Sequence, residues 1–288
     1  MRKRDIQEIC EEYHIRPSRA KGQNFLIDET IVEKIIEVSG LTLEDTVLEI
    51  GPGLGVLTSE LVINAKQVIA VEVDRQAIKY LNDNFSEEIK AEKLRIVEGD
   101  ALRINYKAQG LEDFNFKIVA NLPYSITSHF FKNFLELGPK PEEIVVMIQY
   151  EVAKRMIAEP GEMNLLALSV QLYSEAEILF KVPPQSFWPE PEVDSAVVRL
   201  VLNKELPARN ASHSDVGGVN ADIKQMFRVA KMGFSSKRKQ LHNNLSSGLK
   251  LKTDAVKGIF AGFGWREDIR AQDLSLEDWI LLTKTLNH

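Results

Sequence analysis

The tetrapeptide Asn121-Leu122-Pro123-Tyr124 directly follows an apolar run at residues 116–120 and carries residue types that can hold an exocyclic amino group. The lone pair of an aromatic amine such as N6 of adenine is delocalised into the ring, so the amine is a poor nucleophile. Acceptors for its two N–H protons would turn the lone pair outward, and the Asn121 side-chain oxygen and the Leu122 carbonyl are candidates. Pro123 fixes its own φ and brings no competing N–H, while Tyr124 offers a flat face for an extruded base. The alternative is a strand-to-helix turn with Tyr124 simply packed, because short motifs often arise by chance.

A glycine-rich segment, Gly51-Pro52-Gly53-Leu54-Gly55, follows an apolar strand predicted at residues 47–50 and precedes a helix-like stretch at 56–62. Glycine lets a backbone come close to a ligand, so Gly51 and Gly53 are candidate contact positions. A dinucleotide-binding loop would place a third glycine three residues after the second. That position holds Val56. The segment therefore fits an adenosine-containing ligand better than a nicotinamide dinucleotide, and no hydride-transfer pattern accompanies it.

Acidic residues stand at the ends of the next two predicted strands. Glu72 closes the strand at 67–72, 21 residues after Gly51, where a carboxylate can accept hydrogen bonds from both hydroxyls of a ribose. Asp100 follows the strand at 94–97 and can accept from an adenine amino group. Either acid alone is more often a solvated loop carboxylate. At successive strand ends, together they predict a crevice that binds an adenosine-containing cofactor.

Hydrophobic periodicity predicts an α/β fold. Asp28 is the predicted N-cap of the first core helix. Two late strands without a helix between them predict an antiparallel edge. Strands predicted near residues 47–50, 67–72, 94–97, 116–120 and 144–148 alternate with helices, the pattern of a parallel sheet covered on both faces, and the two late strands are at 178–182 and 195–202.

Three regions are predicted along the chain. Residues 1–203 form a catalytic domain with an N-terminal extension, and 204–220 form a polar linker that contains Pro207 and a glycine pair. Residues 221–288 form a small helical domain, whose last helix begins with the capping box formed by Ser275 and Asp278.

Composition is ordinary for a globular protein, with 44% apolar and 27% charged residues among 288. No apolar run approaches the roughly 20 residues that span a bilayer, and the polar start has no signal-peptide core. Cys10 is the single cysteine and has no Cys or His neighbour at metal-ligand spacing. These features predict a cytoplasmic protein with no metal site and no membrane partner.

The net charge of −6 argues against a nucleic-acid partner, but the charge is unevenly distributed. Residues 221–288 hold 12 Lys plus Arg against 7 Asp plus Glu, a balance of +5, so the preceding residues sum to −11. Residues 224–239 contain six basic residues and no acid. A solvated helix face is the usual explanation of such a run; next to a base-stacking motif, phosphate contacts are favoured. The candidates are Arg228, Lys231, Lys237, Arg238 and Lys239, with Arg2, Lys3, Arg4, Arg16, Arg19 and Lys21 as a second basic edge.

In this order, the motifs resemble those of class I S-adenosylmethionine-dependent methyltransferases, and more narrowly of the ribosomal RNA adenine N6-dimethyltransferases of the bacterial small-subunit type. The class is indicated by Glu49-Ile50-Gly51-Pro52-Gly53-Leu54-Gly55 with Glu72, Asp100 and Asn121-Leu122-Pro123-Tyr124. The narrower likeness lies in Lys21-Gly22-Gln23-Asn24-Phe25-Leu26 and in residues 183–189, 193–198, 234–239, 243–245 and 270–277. The resemblance to this family covers nearly the whole chain. Residues 162–166 depart from the family pattern, in which a Tyr-Gly pair is expected.

The resemblance implies a Rossmann-like seven-stranded sheet with a small C-terminal helical domain and S-adenosylmethionine as cofactor. It implies a monomer that dimethylates N6 of two adjacent adenosines near the 3′ end of small-subunit (16S) ribosomal RNA within a pre-ribosomal particle. The implied catalytic residues are Asn121, Leu122, Pro123, Tyr124 and Phe187, and the implied cofactor residues are Gln23, Asn24, Leu26, Gly51, Gly53, Glu72, Asp100, Ala101 and Asn121. The basic segment then becomes RNA-binding.

Other classes stay open at this point. Glutamine and DNA-adenine methyltransferases share the fold but usually carry Asp or Asn before Pro-Pro-Tyr, and Leu122 argues against them. Large-subunit rRNA methyltransferases share Asn-Leu-Pro-Tyr-like chemistry and rank below the small-subunit type on residues 183–198 and 234–245. A ribosome-assembly factor, in which binding matters more than turnover, is a further alternative. A nicotinamide-dependent oxidoreductase is disfavoured by Val56.

Overall fold

Runs of apolar residues buried on both faces form the centre of a seven-stranded sheet. The computed structural model describes residues 3–17, 24–205 and 217–286, without the side chains of 217–221. The strand order is β4-β3-β2-β5-β6-β9-β7; β2 to β6 are parallel, and β9 is antiparallel to both its neighbours. The strands are β1 Phe25–Leu26, β2 Thr46–Ile50, β3 Gln67–Glu72, β4 Leu94–Glu98, β5 Lys117–Asn121, β6 Glu143–Gln149, β7 Ser174–Val182, β8 Phe187–Trp188 and β9 Ser195–Leu202. The Rossmann-like α/β architecture is confirmed.

Helices alternate with the strands and then make up the C-terminal part of the chain. They are α1 Lys3–Glu12, α2 Glu29–Ser39, α3 Thr58–Asn64, α4 Arg75–Asn84, α5 Ser86–Lys90, α6 Thr127–Lys132, α7 Tyr150–Met156, α8 Leu165–Tyr173, α9 Gly217–Gly233, α10 Leu241–Leu249, α11 Thr253–Gly262 and α12 Leu276–Leu286. No helix among the described residues is both long and apolar enough to cross a membrane.

The helices α2 and α12 begin at the side-chain caps that the sequence predicts. Asp28 accepts a hydrogen bond from the Thr30 N–H at 3.1 Å at the start of α2. Before α12, the Ser275 N–H donates to Asp278 at 2.9 Å and the Asp278 N–H donates to Ser275 Oγ at 3.1 Å. Such reciprocal caps satisfy backbone donors that have no partner within the helix.

The edge strand β7 begins at Ser174, four residues before its predicted start at Ile178. Its first half contains Glu175 and Glu177, and Glu175 is exposed. Side chains of an edge strand that face solvent can be charged, so such a strand need not show a regular apolar pattern. A register shift between Ile178 and Phe180 further interrupts the period, and the apolar pattern therefore reveals only the second half of the strand.

Contacts along the chain define two compact units. The first contains Met1–Ala153 and Ser174–Lys204, and the second contains Lys154–Tyr173 and Glu205–His288. Helix α8 therefore groups with the second unit, whereas the predicted boundary placed it in the catalytic domain. The predicted linker at 204–220 lies largely outside the described residues, and α9 begins within it at Gly217. The three-part division remains a prediction.

The segment that departs from the family pattern, residues 162–166, forms the turn before α8 and the first two residues of that helix. Asn164 Oδ1 accepts hydrogen bonds from the N–H groups of Leu166 and Ala167 at 3.1 and 3.2 Å. Gln272, in the same unit, closes the preceding turn because its carbonyl accepts from the N–H groups of Gly161 and Met163. Asn164 is thus a local N-cap, and the Gln272 carbonyl holds the turn that precedes the helix.

Candidate active site

A cleft of about 450 Å³ opens in the first unit at the carboxyl ends of β2 to β5. Parallel strands bring their carboxyl ends to one edge of a sheet, which is where open α/β sheets bind ligands. Among the described residues, every predicted catalytic and cofactor position lines this cleft; Gln23 lies outside the described residues. The predicted residues brought together are Asn24, Leu26, Gly51, Gly53, Glu72, Asp100, Ala101, Asn121, Leu122, Pro123, Tyr124 and Phe187.

The glycine loop passes close to two other walls of the cleft. Gly51 and Gly53 have φ of +68° and +58°, a region that L side chains rarely adopt. A Cβ on Gly53 would lie 3.0 Å from the Phe25 ring, and one on Gly51 would lie 3.3 Å from Pro123. Glycine is therefore needed at both positions for backbone conformation and for close approach.

Glu72, at the end of β3, is 7% exposed and holds the glycine loop through its carboxylate. One oxygen, Oε2, accepts from the Gly53 N–H at 3.1 Å; the other, Oε1, accepts from Val73 and Asp74 at 2.8 and 2.9 Å. Burial raises the pKa of Glu72, and the three amide donors oppose that shift. A carboxylate offers about four acceptor positions, so one position on Oε2 is left for a ligand hydroxyl.

Asp100 and Ala101 follow β4 on the neighbouring wall. Asp100 accepts from the Leu102 N–H at 2.9 Å and pairs with Arg103 at 3.3 Å, with its side chain 46% exposed. The Ala101 carbonyl accepts from the Tyr106 hydroxyl at 2.6 Å. The loop is thus fixed by hydrogen bonds, and the partly exposed Asp100 carboxylate borders the cleft.

Asn121 ends β5 with its amide held in one orientation. Its Nδ2 donates to the Asn24 carbonyl at 3.3 Å, and among the described residues nothing donates to its Oδ1. The next peptide is fixed because the Leu122 N–H donates to the Met147 carbonyl at 3.1 Å. Leu122 itself is buried, so its contribution to the cleft is a backbone one. Pro123 follows with φ of −56°.

Two aromatic residues flank this edge. The hydroxyl of Tyr124 lies 2.6 Å from Ser195 Oγ, and burial raises the pKa of Tyr124. Phe187 lies in β8, which pairs antiparallel with β1 so that Leu26 faces Phe187. Phe187 is only 3% exposed, so little of its ring is accessible. The pairing of β1 with β8 brings Asn24 and Leu26 to the cleft.

Glu49 is a cleft residue for which the sequence alone predicts no role. It lies within the apolar strand β2, is 2% exposed and accepts a hydrogen bond from the Thr58 hydroxyl at 2.7 Å. Burial raises the pKa of Glu49 to about 8, and the nearby carboxylate of Glu72 adds to the shift. A single acid inside a strand buried on both faces is the sequence signal for such a residue.

Replacing Glu49 with Gln is expected to stabilise the ligand-free protein increasingly as pH rises from 5 to 8. The folded state holds the Glu49 proton more tightly than the unfolded state, so the parent loses stability from the ordinary carboxyl pKa up to about 8. The full effect is on the order of a few kcal/mol. Thermal unfolding across this pH range measures it, since the amide oxygen can still accept from Thr58. A difference in melting temperature that does not vary with pH would contradict the buried, protonated acid.

The predicted RNA-binding residues lie in the second unit. Arg228 and Lys231 are exposed on α9, whereas Ile223, Met226, Phe227 and Ala230 of the same helix are buried. Lys237, Arg238 and Lys239 are exposed in the turn before α10. Of the N-terminal basic residues, Lys3, Arg4 and Arg16 are exposed, and Arg2, Arg19 and Lys21 lie outside the described residues. Their exposure is consistent with phosphate contacts but does not test them.

Known proteins are similar to this chain over nearly its whole length. The model of the ribosomal RNA adenine dimethylase family matches residues 18–287. A ribosomal RNA small subunit methyltransferase A of Dehalococcoides mccartyi is 39% identical over 276 residues, 96% of this chain and 90% of that protein. The protein of the same name from Clostridioides difficile is 36% identical over 286 residues, 98% and 94% of the two chains.

Two solved structures share the fold. A dimethyladenosine transferase from Plasmodium falciparum has a TM-score of 0.73 at 24% identity, with 91% of this chain and 97% of that chain covered. The 23S rRNA methyltransferase ErmE has a TM-score of 0.67 at 26% identity, with 92% and 100% covered.

Proposed function

Because this chain belongs to the ribosomal RNA adenine dimethylase family, we propose that it dimethylates N6 of two adjacent adenosines near the 3′ end of small-subunit ribosomal RNA. It is an S-adenosylmethionine-dependent rRNA adenine dimethyltransferase. The observation that carries the chemistry is the edge formed by Asn121, Leu122, Pro123 and Tyr124 along the cleft. Bacterial relatives with the small-subunit name are 34–39% identical, and the large-subunit alternative is not favoured.

The residues of the cleft fit S-adenosylmethionine, which supplies an activated sulfonium methyl group when bound. A cleft of about 450 Å³ is in the usual size range for such ligands. Two buried acids, Glu49 and Glu72, line it, and a bound ligand that carries positive charge would favour their ionised forms. We assign the ribose to the remaining position on Glu72 and the adenine of the cofactor to Asp100 and Ala101. We assign the methionine end to Asn24 and Leu26 and, outside the described residues, to Gln23; Gly51 and Gly53 allow close approach.

The target adenine lies against Tyr124 in this proposal, with Phe187 on its other side. The Asn121 Oδ1 and the Leu122 carbonyl accept the two N6 protons and direct the nitrogen lone pair at the methyl group. Alignment of the reacting groups is the main contribution of the protein. No general base is required, because the methylated ammonium loses its proton to water. One N–H remains after the first transfer, and the amine can react again.

Labelled cofactor and isolated ribosomal subunits test the activity. We expect tritium in unmethylated small subunits and N6,N6-dimethyladenosine as the labelled nucleoside. Label in large subunits would favour the large-subunit alternative, and tight binding without transfer would favour an assembly factor. The same assay with free small-subunit RNA shows whether a pre-ribosomal particle is the substrate. Given the bacterial relatives, we propose that the protein acts on that particle in the cytoplasm as a monomer.

The exposed basic turn of the second unit is proposed to bind RNA phosphates. Replacing Lys237, Arg238 and Lys239 together with Gln should weaken binding to small subunits at low salt. The slope of log affinity against log salt should fall by roughly 0.7 to 0.9 for each lost contact. Filter binding over a salt series measures the slope, and cofactor binding should be unchanged.

A control variant removes the same charge elsewhere. Lys34, Lys66 and Lys93 are exposed in the first unit, and their replacement with Gln should leave the salt slope at the parent's value. If the basic-turn variant also keeps the parent's salt profile, the turn is a solvated surface. The N-terminal basic edge then becomes the better candidate.

A further inference from the structure

We propose that Ser195 is a positioning residue that holds the Tyr124 ring as the stacking face for the target base. The proposal rests on the function proposed above. Ser195 is the first residue of β9 and is fully buried. It lies in the segment 193–198 that resembles the family, but the sequence alone predicts no role for it.

The hydroxyl contact joins a rigid residue to a partly exposed one. Ser195 pairs with Gln149 of β6 on one side and with Val182 of β7 on the other. Its backbone is therefore fixed within the sheet. Its Oγ lies 2.6 Å from the Tyr124 hydroxyl, a normal length for a hydrogen bond between two hydroxyls.

Tyr124 is held at its two ends. Its backbone begins the short 3₁₀ turn Tyr124–Ile126, directly after Pro123. Its hydroxyl reaches Ser195, across 71 positions of sequence. A tyrosine ring turns about two side-chain bonds. Holding the hydroxyl fixes the first torsion and with it the position of the ring; because the phenol O–H and its acceptor lone pair lie near the ring plane, the direction to Ser195 also favours one orientation of the ring face. Stacking of a base requires such a defined face.

The buried hydroxyl disfavours other orientations of the ring. If the phenol turned away, Ser195 would lose this partner in a place from which water is excluded, and an unsatisfied buried hydroxyl is costly. Ser195 is absent from the described lining of the cleft. It therefore acts on the base only through Tyr124.

Ionic contacts secure the strand ends around Ser195. Lys181 Nζ lies 2.7 Å from the carboxylate of Asp194 and 4.8 Å from the centre of the Tyr150 ring. The Tyr150 N–H donates to the Asp194 carbonyl at 2.9 Å. These contacts join the ends of β6 and β7 to the start of β9. The Ser195 hydroxyl is thus presented from a fixed point.

A double-mutant cycle tests the proposal. Tyr124→Phe keeps the ring and removes its hydroxyl, and Ser195→Ala removes the partner hydroxyl. Each single variant should lower kcat for methylation of small subunits about tenfold, the scale of one hydrogen bond. The double variant should be no slower than the slower single variant, because both changes remove the same contact. The KM for S-adenosylmethionine should be unchanged in all three.

Ser39→Ala is the matched control. Ser39 is also buried in the first unit, and its hydroxyl donates to the Ile36 carbonyl at 2.7 Å at the end of α2. Its loss should lower the melting temperature without changing kcat. If Ser195→Ala fails to fold, the Tyr124→Phe variant alone tests the proposal. A kcat equal to that of the parent in this variant overturns it.

Two further results would overturn the positioning role. One is a double variant whose loss equals the product of the two single losses, because the hydroxyls then act independently. The other is a folded Ser195→Ala protein with the parent's kcat. Failure of the proposed function is distinct, because the unmodified protein itself would then transfer no methyl group to small subunits.

Discussion

Asn121→Ala is expected to lower kcat for methyl transfer by at least about a hundredfold, the usual loss when a group that acts on the reacting atoms is removed. Among the described residues, nothing donates to the Asn121 Oδ1, while its Nδ2 donates to Asn24 at 3.3 Å. The free acceptor is needed mainly when the amine is attacked. Melting temperature and RNA affinity should therefore change little. Single-turnover transfer to small subunits, together with thermal unfolding and RNA binding, measures the three quantities.

Asn121→Asp provides the matched comparison. It keeps an acceptor at the same position but removes the N–H that donates to the Asn24 carbonyl. We expect it to be more active than the Ala variant and less active than the parent. A folded Asn121→Ala protein with near-normal transfer would reject the proposed role of this residue.

The central strands were predictable because they are buried on both faces. Predicted strands at 47–50, 67–72, 116–120 and 144–148 differ by at most one residue at either end from Thr46–Ile50, Gln67–Glu72, Lys117–Asn121 and Glu143–Gln149. An apolar run bounded by glycine or acid is a strong local signal. Strands β1 and β8 contain only two residues each. Two residues have no period, and their pairing joins segments that are far apart in the sequence.

The cleft was predictable for a topological reason. Once a parallel sheet is recognised, Gly51, Glu72, Asp100 and Asn121 end or follow strands whose carboxyl ends share one edge. The partner of each side chain was not predictable. In the sequence, Glu49 is only a single acid within an apolar run. Its burial and its hydrogen bond from the Thr58 hydroxyl are known only from the structure.

Long-range contacts account for what else the sequence leaves out. The bond between Tyr124 and Ser195 depends on where β9 enters the sheet, between β6 and β7. The grouping of α8 with the C-terminal helices likewise depends on tertiary packing. Local periodicity carries no information on either.

Glu72→Ala is expected to weaken S-adenosylmethionine binding by about 1 to 3 kcal/mol, the usual loss when hydrogen bonds to a charged group are removed. The carboxylate of Glu72 can stabilise the bound cofactor in two ways. It accepts from Gly53, Val73 and Asp74, and it has one position left for a ribose hydroxyl. Calorimetry of cofactor binding measures the combined loss. Asp100→Ala should also weaken binding, and no nicotinamide dinucleotide should bind with comparable strength.

An analogue of the cofactor product distinguishes the hydrogen bond of Glu72 to the ribose from its hydrogen bond to the glycine loop. S-adenosylhomocysteine lacking the ribose 2′-hydroxyl should bind the parent more weakly than intact S-adenosylhomocysteine. If Glu72 accepts from the ribose, the difference should nearly vanish in Glu72→Ala, because the partner of the hydroxyl is gone. An undiminished difference would mean that the carboxylate acts only by holding the glycine loop through Gly53. Unchanged affinity for intact ligand would remove Glu72 from the cofactor site altogether.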